Sequence, residues 1–202
     1  MKSGNRVLDD LLKICDIDLR QDSVLIRKRA IALYKAFAKR EKGKPRAVTM
    51  HTLKTIYPCI SFYKAVSLCT GDKDTAYRII ETYLTDRAAN SARKLRKLCS
   101  VPFVYRLVPK LMAKIIHRSF GTKSGFEMKE RVISRDMCRI DMVSCPYNSI
   151  CRACGCRELT KLFCDTDDTA YGNMHRKLSW ERSGTLGRGD DCCDFIIRVK
   201  NI

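Results

Sequence analysis

The chain is poor in histidine and has no long apolar run. Only three of its 202 residues are histidines, which practically excludes a metal site built from three histidines. No nucleophile-elbow motif is present to support a serine–histidine–aspartate triad. No stretch of about 18 apolar residues occurs, so no membrane span is predicted. The N-terminal MKSGNRVLDDLLK has acids where a secretory signal is apolar. We therefore expect a cytoplasmic protein with no membrane partner.

Cysteine, in contrast, is abundant, with twelve residues, eight of which lie in the last third of the chain. In a reducing cytoplasm they are thiols, metal ligands or redox groups rather than disulfides. Cys151 and Cys154 have the spacing of a zinc or iron–sulfur knuckle. A second matched pair is missing, because Cys156 follows too closely and adjacent cysteines chelate poorly. We expect free thiols and no cofactor, with a bound metal ion as the alternative.

The positive charge lies in the N-terminal part. Residues 1–127 contain 27 Lys and Arg against 11 Asp and Glu, a net of +16, whereas residues 128–202 contain 13 against 11, a net of +2. A basic protein can bind nucleic acid. These charges are spread along amphipathic stretches without a nucleic-acid motif, so we interpret them as solvated helix faces and do not expect a nucleic-acid partner.

Helical periodicity dominates the first 120 residues. Apolar residues recur at spacings of three and four, as in Val7, Leu8, Leu11, Leu12 and Cys15. We predict that the helical segments are interrupted at Pro58 and end at Gly71. A further break is predicted near Pro102 and Pro109. Asp74 is predicted to cap a helix that runs to about Arg87.

The rest of the chain mixes strands with short helices. Residues 128–140 predict one strand, residues 145–174 one or two short helices, and residues 176–183 and 191–199 a hairpin around the Gly184–Gly189 turn. The predicted fold is α+β, with a helical part (1–120) packed on a small antiparallel sheet in a cysteine-rich part (126–202). We expect the two parts to form one cooperative domain.

Strand alternation divides the side chains of the closing hairpin. Cys193 shares a face with Phe195 and Ile197, whereas Cys192 points away. On the partner strand, Arg182 falls on the same apolar side as Trp180. A guanidinium is rarely left unpaired in such a place, so a carboxylate partner from the protein or from a substrate is predicted.

A second acidic segment precedes the hairpin, in FCDTDDTAYGNM. If this segment is helical, Cys164, Asp165 and Asp168 share one face. One interpretation is a helix N-terminus enriched in acids, which is a common stabilising arrangement. The other is a carboxylate pair that holds an amidinium-like group and transfers protons.

Two runs together resemble a known family signature. CPYNSICRACGCRELTKLFCDTDDTAYGNM, followed by LSWERSGTLGRGDDCCDFII, is similar to the C-terminal signature of the L-2-amino-thiazoline-4-carboxylic acid hydrolase family. The matching positions are Cys145, Pro146, Tyr147, Gly155, Cys156, Cys164, Asp165, Asp168, Glu181, Arg182, Thr185, Leu186, Gly189, Asp190, Asp191, Cys193, Asp194 and Phe195. The resemblance implies a hydrolase that opens a cyclic isothiourea carboxylate to an N-carbamoyl cysteine.

The resemblance also implies roles for individual side chains. The implied catalytic residues are Cys193, Asp168 and Cys164, and the implied substrate-binding residues are Arg182, Asp165, Asp194 and Thr185. Either thiol could attack the ring, or the thiols and aspartates could hold a metal ion that activates water. The expected partner is a small molecule with a carboxylate. The alternative function is a non-enzymatic cysteine-rich module that senses a metal or a ligand.

Overall fold

The protein folds into helices followed by a small sheet, as seen in a computed structural model that describes residues 2–200. The helices are α1 (Arg6–Asp18), α2 (Ser23–Arg40), α3 (Arg46–His51), α4 (Tyr57–Thr70), α5 (Lys73–Cys99), α6 (Val108–Ser119), α7 (Pro146–Ala153) and α8 (Leu159–Tyr171). The strands are β1 (Glu127–Ile133), β2 (Met137–Ser144), β3 (Leu178–Glu181) and β4 (Cys193–Val199). The predicted α+β class is confirmed.

Two of the predicted helix boundaries are confirmed. Gly71 ends α4 in the left-handed conformation, with φ of 73°, which glycine adopts without a steric penalty. The break near Pro102 and Pro109 separates α5 from α6, and Pro109 lies in the first turn of α6, where a missing N–H costs no helical hydrogen bond.

The predicted start and end of α5 are wrong. Asp72, not Asp74, caps the helix, because its carboxylate accepts hydrogen bonds from the N–H groups of Asp74 and Thr75. The helix also continues beyond Arg87 to Cys99, through a segment rich in alanine, lysine and arginine, which favour helix. This extension carries α5 along the full length of the cavity described below.

The predicted interruption at Pro58 takes the form of a change in hydrogen bonding. A π-helical turn, Thr52–Ile56, precedes α4, and the N–H of Tyr57 bonds to the carbonyl of Thr52. Because proline has no N–H to bond to the carbonyl of residue 54, the wider turn forms without losing a donor. The chain therefore continues into α4 with Pro58 in its first turn.

The four strands form one antiparallel sheet in the order β1-β2-β4-β3. The single strand predicted over residues 128–140 is wrong, since β1 and β2 form a hairpin there. Its turn is closed by a 2.8 Å hydrogen bond from the N–H of Ser134 to the carbonyl of Met137, over the turn-forming residues Ser, Arg and Asp. The predicted pairing of β3 with β4 is confirmed, with Trp180 opposite Ile197.

Helices from both ends of the chain share the largest apolar core. It is built from α1, α2, α4 and α5 together with Cys151, Leu159 and Leu162 of α7 and α8. Two smaller clusters lie between α6 and the sheet, around Met112 and Ile116. Among residues 2–200, no helix is both long enough and apolar enough to cross a membrane.

Candidate active site

A cavity of about 330 Å3 opens between α5 and α6 and is closed by α8 and the sheet. Most of its wall is apolar. The polar side chains that matter for chemistry come from α8, β3, β4 and the segment before α7; they are Cys145, Cys164, Asp167, Arg182 and Cys193. The face of β4 that alternation predicted to be apolar, with Cys193, Phe195 and Ile197, lines this cavity.

Two of the predicted catalytic residues form a thiol pair in the cavity. The side chains of Cys193 and Cys164 interact, and this interaction is the main cause that lowers the pKa of Cys164 to about 7, against the effect of burial. The same interaction and burial raise the pKa of Cys193. Cys164 is therefore the more acidic thiol of the pair, and the interaction with Cys193 favours its thiolate form.

The turn between β3 and β4 supplies further donors to Cys164. The N–H of Gly187 and the hydroxyl of Thr185 both bond to its sulfur and lower its pKa. A Cβ at position 187 would lie 2.9 Å from Cys164 Sγ, so only glycine allows the backbone to come this close. The N–H of Thr185 bonds to Asp190 at 2.6 Å, which fixes the turn in place.

Arg182 is buried beside this pair, with only 2% of its side chain exposed. Its Nη2 donates to Asp168 Oδ2 at 2.5 Å and to the carbonyl of Cys164 at 3.0 Å. Asp168 also accepts a 2.9 Å hydrogen bond from Trp180 Nε1. The carboxylate predicted to pair with Arg182 thus comes from the protein, and it holds the guanidinium and the indole together.

The other terminal nitrogen of Arg182 makes an ion pair but no hydrogen bond. Within residues 2–200, Nη1 is buried and has no hydrogen-bond partner; the nearest carboxylate oxygen, of Asp167, is 3.6 Å away. A buried donor without an acceptor costs about 1–3 kcal/mol. An anion in the cavity would remove this cost, because Arg182 is part of the cavity wall.

Asp167 contributes a carboxyl group to the same cavity wall as Cys164. Burial raises its pKa to about 7, and the charges of Cys164 and Asp168 add to this, whereas Arg182 opposes it. Although 36% of its side chain is accessible, Asp167 lines the cavity, so its exposed surface faces an apolar space rather than bulk water. It can therefore hold a proton at neutral pH and release it to a bound molecule.

The remaining predicted site residues do not line the cavity. Asp165 is part-exposed and pairs with Lys161 and Arg188 instead of lining the cavity. Asp194 is buried at the start of β4, and Thr185 is fully buried beside Cys164. The interpretation of Asp165 and Asp168 as part of an acid-rich helix N-terminus is wrong. They lie in the middle and second half of α8, which has no acid in its first turn.

Asp194 holds the turn by hydrogen bonds. It accepts from the N–H groups of Ser183 and Gly184, at 2.9 and 2.7 Å, and from the hydroxyl of Ser183 at 2.5 Å. Burial acts to raise the pKa of Asp194, but these bonds prevail and hold it below its usual value. The carboxylate is already occupied by protein donors.

Replacing Asp194 should therefore destabilise the fold. We expect Asp194→Ala to lower the free energy of unfolding by about 3 kcal/mol, because buried donors lose a charged acceptor. Chemical denaturation measures this, and Asp191→Ala, at an exposed position of the same turn, is the matched control with a change within about 0.5 kcal/mol. Unchanged stability with lost substrate affinity would instead show that Asp194 binds substrate.

The cysteines predicted as metal ligands lie in two places. Cys164 and Cys193 line the cavity, whereas Cys151 and Cys156 are packed in the large helical core with Cys154 against it. All twelve cysteines are free thiols. Within the described part of the chain, no group of three or more histidine, cysteine, aspartate or glutamate side chains is placed to hold a metal ion.

Sequence reasoning missed Asp167, although a signal for it was present. Cys164 and Asp167 are three residues apart, and Phe163, Ala170 and Tyr171 continue the same helical face, all lining the cavity. Cys145 and Tyr147 were also missed as cavity residues. Cys145 is a neutral thiol there, since burial raises its pKa to about 11.

Comparisons with known proteins agree with the signature in the sequence. The family model of L-2-amino-thiazoline-4-carboxylic acid hydrolase matches residues 49–197. The match covers well over half of the chain and includes α4 to α8, β1 to β3 and most of β4, so the chain belongs to this family. The predicted family is confirmed.

Two further comparisons add little. No curated protein matches the chain. Among solved structures, a crystal structure of an H-NOX protein from S. oneidensis in the Fe(II)NO ligation state aligns over 100% of both chains, with 11% identity and a TM-score of 0.35. A similarity this low supports no conclusion about fold or function.

Proposed function

We propose that the protein hydrolyses a small cyclic isothiourea or amidine that carries a carboxylate, with 2-amino-thiazoline-4-carboxylate as the reference substrate. One observation supports this above all. A thiol with a pKa of about 7, a carboxyl group with a pKa of about 7 and a buried guanidinium nitrogen without a hydrogen bond line the same cavity. Family membership gives the reaction class its name.

Arg182 would bind the substrate carboxylate through Nη1. Its other nitrogen is held by Asp168, so the guanidinium is already oriented and loses little freedom on binding. The aromatic rings of Trp180 and Phe195 lie 6.0 and 5.9 Å from its central carbon and hold its plane. This arrangement would place the amidine-like carbon of the substrate between the side chains of Cys164 and Asp167.

In the first step, the Cys164 thiolate attacks the carbon between sulfur and nitrogen in the protonated ring. A carbon–sulfur bond to Cys164 forms, and the bond from this carbon to the ring sulfur then breaks. Asp167 gives its proton to the departing sulfur, which becomes the free thiol of the opened product. The covalent product is an isothiouronium cation on Cys164, facing the Asp167 carboxylate.

In the second step, water adds to the same carbon. Asp167 takes a proton from this water, and the bond to Cys164 breaks to return the thiolate, which Cys193, Gly187 and Thr185 stabilise as the leaving group. The carbon becomes a carbamoyl carbonyl. One proton, carried in by the protonated ring, is released to solvent, so the net reaction consumes one water. No metal ion or cofactor is required by this scheme.

The direct test is incubation of the protein with 2-amino-thiazoline-4-carboxylate, with mass spectrometry for N-carbamoyl cysteine and a colorimetric assay for new thiol. We expect the two assays to report equal amounts, because the new thiol and the carbamoyl group belong to the same product. Elemental analysis of the same preparation should find less than stoichiometric metal. Failure to consume the substrate would refute the reference substrate, and activity that requires stoichiometric zinc or iron would refute the cofactor-free scheme.

Variants of the supporting residues test the site. Asp168→Asn should reduce kcat/KM through a higher KM, because Arg182 loses the anion that orients it, and Cys193→Ala should raise the pH at which Cys164 becomes a thiolate. Circular dichroism confirms folding of both. Full activity in both variants would show that this cavity is not the active site.

A further inference from the structure

The cavity is larger and more apolar than a single heterocycle needs. It encloses about 330 Å3; since one water occupies about 30 Å3 of liquid, this is the volume of roughly eleven waters. Cavities of this size accommodate drug-sized ligands. A five-membered ring with one amino and one carboxylate group would leave much of this space to water or empty.

The apolar part of the cavity wall comes mainly from α5, α6 and the residue that follows α6. We call it the apolar arm, defined by Leu84, Ala88, Leu95, Met112, Ile116 and Phe120. Water against such a wall is unfavourable, because no side chain of the arm can hydrogen-bond to it. The arm is therefore suited to hydrocarbon.

The arm also reaches the protein surface. Arg87 and Ser91 belong to the cavity wall and are exposed on α5, and Ile115, 41% exposed, stands opposite on α6. Helix α5 packs on α8 while α6 packs on the sheet, so the two helices face each other across the opening. A molecule in the arm can extend out of the cavity at this opening.

We infer that the natural substrate is amphiphilic: a carboxylate-bearing isothiourea or amidine head at Cys164, Asp167 and Arg182, with an apolar substituent in the apolar arm. This inference rests on the proposed function for the chemistry of the head. The apolar substituent follows separately, from the wall of the cavity. The substrate class is thus alkyl- or aryl-substituted relatives of the reference compound.

Binding of simple carboxylates tests the arm without any turnover. Acetate, butanoate and octanoate each offer one carboxylate to Arg182 and differ only in hydrocarbon. Trp180, the only tryptophan of the chain, lines the cavity, so its fluorescence reports occupancy. We expect Kd to fall about fourfold for each methylene that enters the arm, and octanoate to bind at least a hundredfold more tightly than acetate.

A variant in the arm distinguishes the cavity from non-specific binding. Ala88→Met adds side-chain volume inside the arm, where Ala88 is 6% exposed, and should reduce the octanoate preference at least tenfold. Ala89→Met is the matched control, one residue along the same helix and outside the cavity wall, and should leave the preference unchanged. Equal Kd values for acetate and octanoate, or an equal loss in both variants, would overturn the inference.

Turnover then separates this inference from the proposed function. A thiazoline carboxylate with a hexyl chain on its ring should show a lower KM than the reference compound. If the reference compound is hydrolysed but octanoate binds no better than acetate, the inference of an apolar substituent is wrong and the proposed function is supported. If octanoate is preferred but neither thiazoline is hydrolysed, the apolar arm is confirmed as a binding site for hydrocarbon and the proposed chemistry is wrong.

Discussion

Cys164→Ser should reduce kcat/KM for the reference substrate by at least about a thousandfold. A serine hydroxyl does not ionise near neutral pH, so the donors that lower the pKa of Cys164 to about 7 have no anion to stabilise. The substitution removes no packing volume of note, and the fold should be retained. Rates of thiol release measured at pH 7, with circular dichroism of the same samples, test this.

Alkylation provides a second measure of the same thiol. Iodoacetamide should react with Cys164 in the native protein with a midpoint near pH 7, and this reaction should be lost in Cys164→Ser. Cys192→Ser is the control, because alternation turns Cys192 away from the cavity and its pKa is raised by burial and by neighbouring carboxylates. A Cys164→Ser protein with full activity would refute the nucleophile and leave water activation as the mechanism.

Asp167→Asn should have the second largest effect, a fall of about 10²–10⁴-fold in kcat/KM. The proposed active form has Cys164 deprotonated and Asp167 protonated, and both groups have a pKa of about 7. Activity is then lost below this pH as the thiolate is protonated, and above it as Asp167 ionises. The native profile should be a narrow bell near pH 7.

The asparagine variant should lose the alkaline limb of that profile, because it has no proton to release. Its acid limb should remain and should move to lower pH, since the charge of Asp167 no longer opposes the Cys164 thiolate. Asp165→Asn is the informative partner: Asp165 pairs with Lys161 at the surface, so kcat/KM should change by less than about fivefold. The opposite ranking of the two variants would place the acid at Asp165.

Local sequence patterns predicted several elements of this site correctly. A period of two on β4 placed Cys193 in the cavity and Cys192 outside it, because successive side chains of a strand point to opposite faces. The same rule placed Arg182 in an apolar environment, which required a carboxylate partner. Gly71 and Pro102 follow the ends of α4 and α5, and Pro109 lies in the first turn of α6. These positions follow from the backbone restrictions of the residues themselves, which depend little on tertiary structure.

Other elements depended on how distant segments meet. Helical spacing made Asp165 and Asp168 candidates but not Asp167, and only the packing of α8 against α5 and the contacts of α8 with Trp180 and Arg182 assigned the three aspartates different environments. Asp168 meets Arg182 and Trp180, Asp167 faces the cavity, and Asp165 faces the surface. Their different roles follow from desolvation and from charges on other elements, which no local pattern contains.

The sequence by itself determined the α+β class, the closing hairpin, the family and the thiols that could react. Tertiary structure alone decided which thiol is ionised, because Gly187, Thr185 and Cys193 converge on Cys164 from 20 or more residues away along the chain. It also decided the size of the cavity, since α5 and α6 are each amphipathic in sequence. Only their separation in space leaves room for a ligand between them.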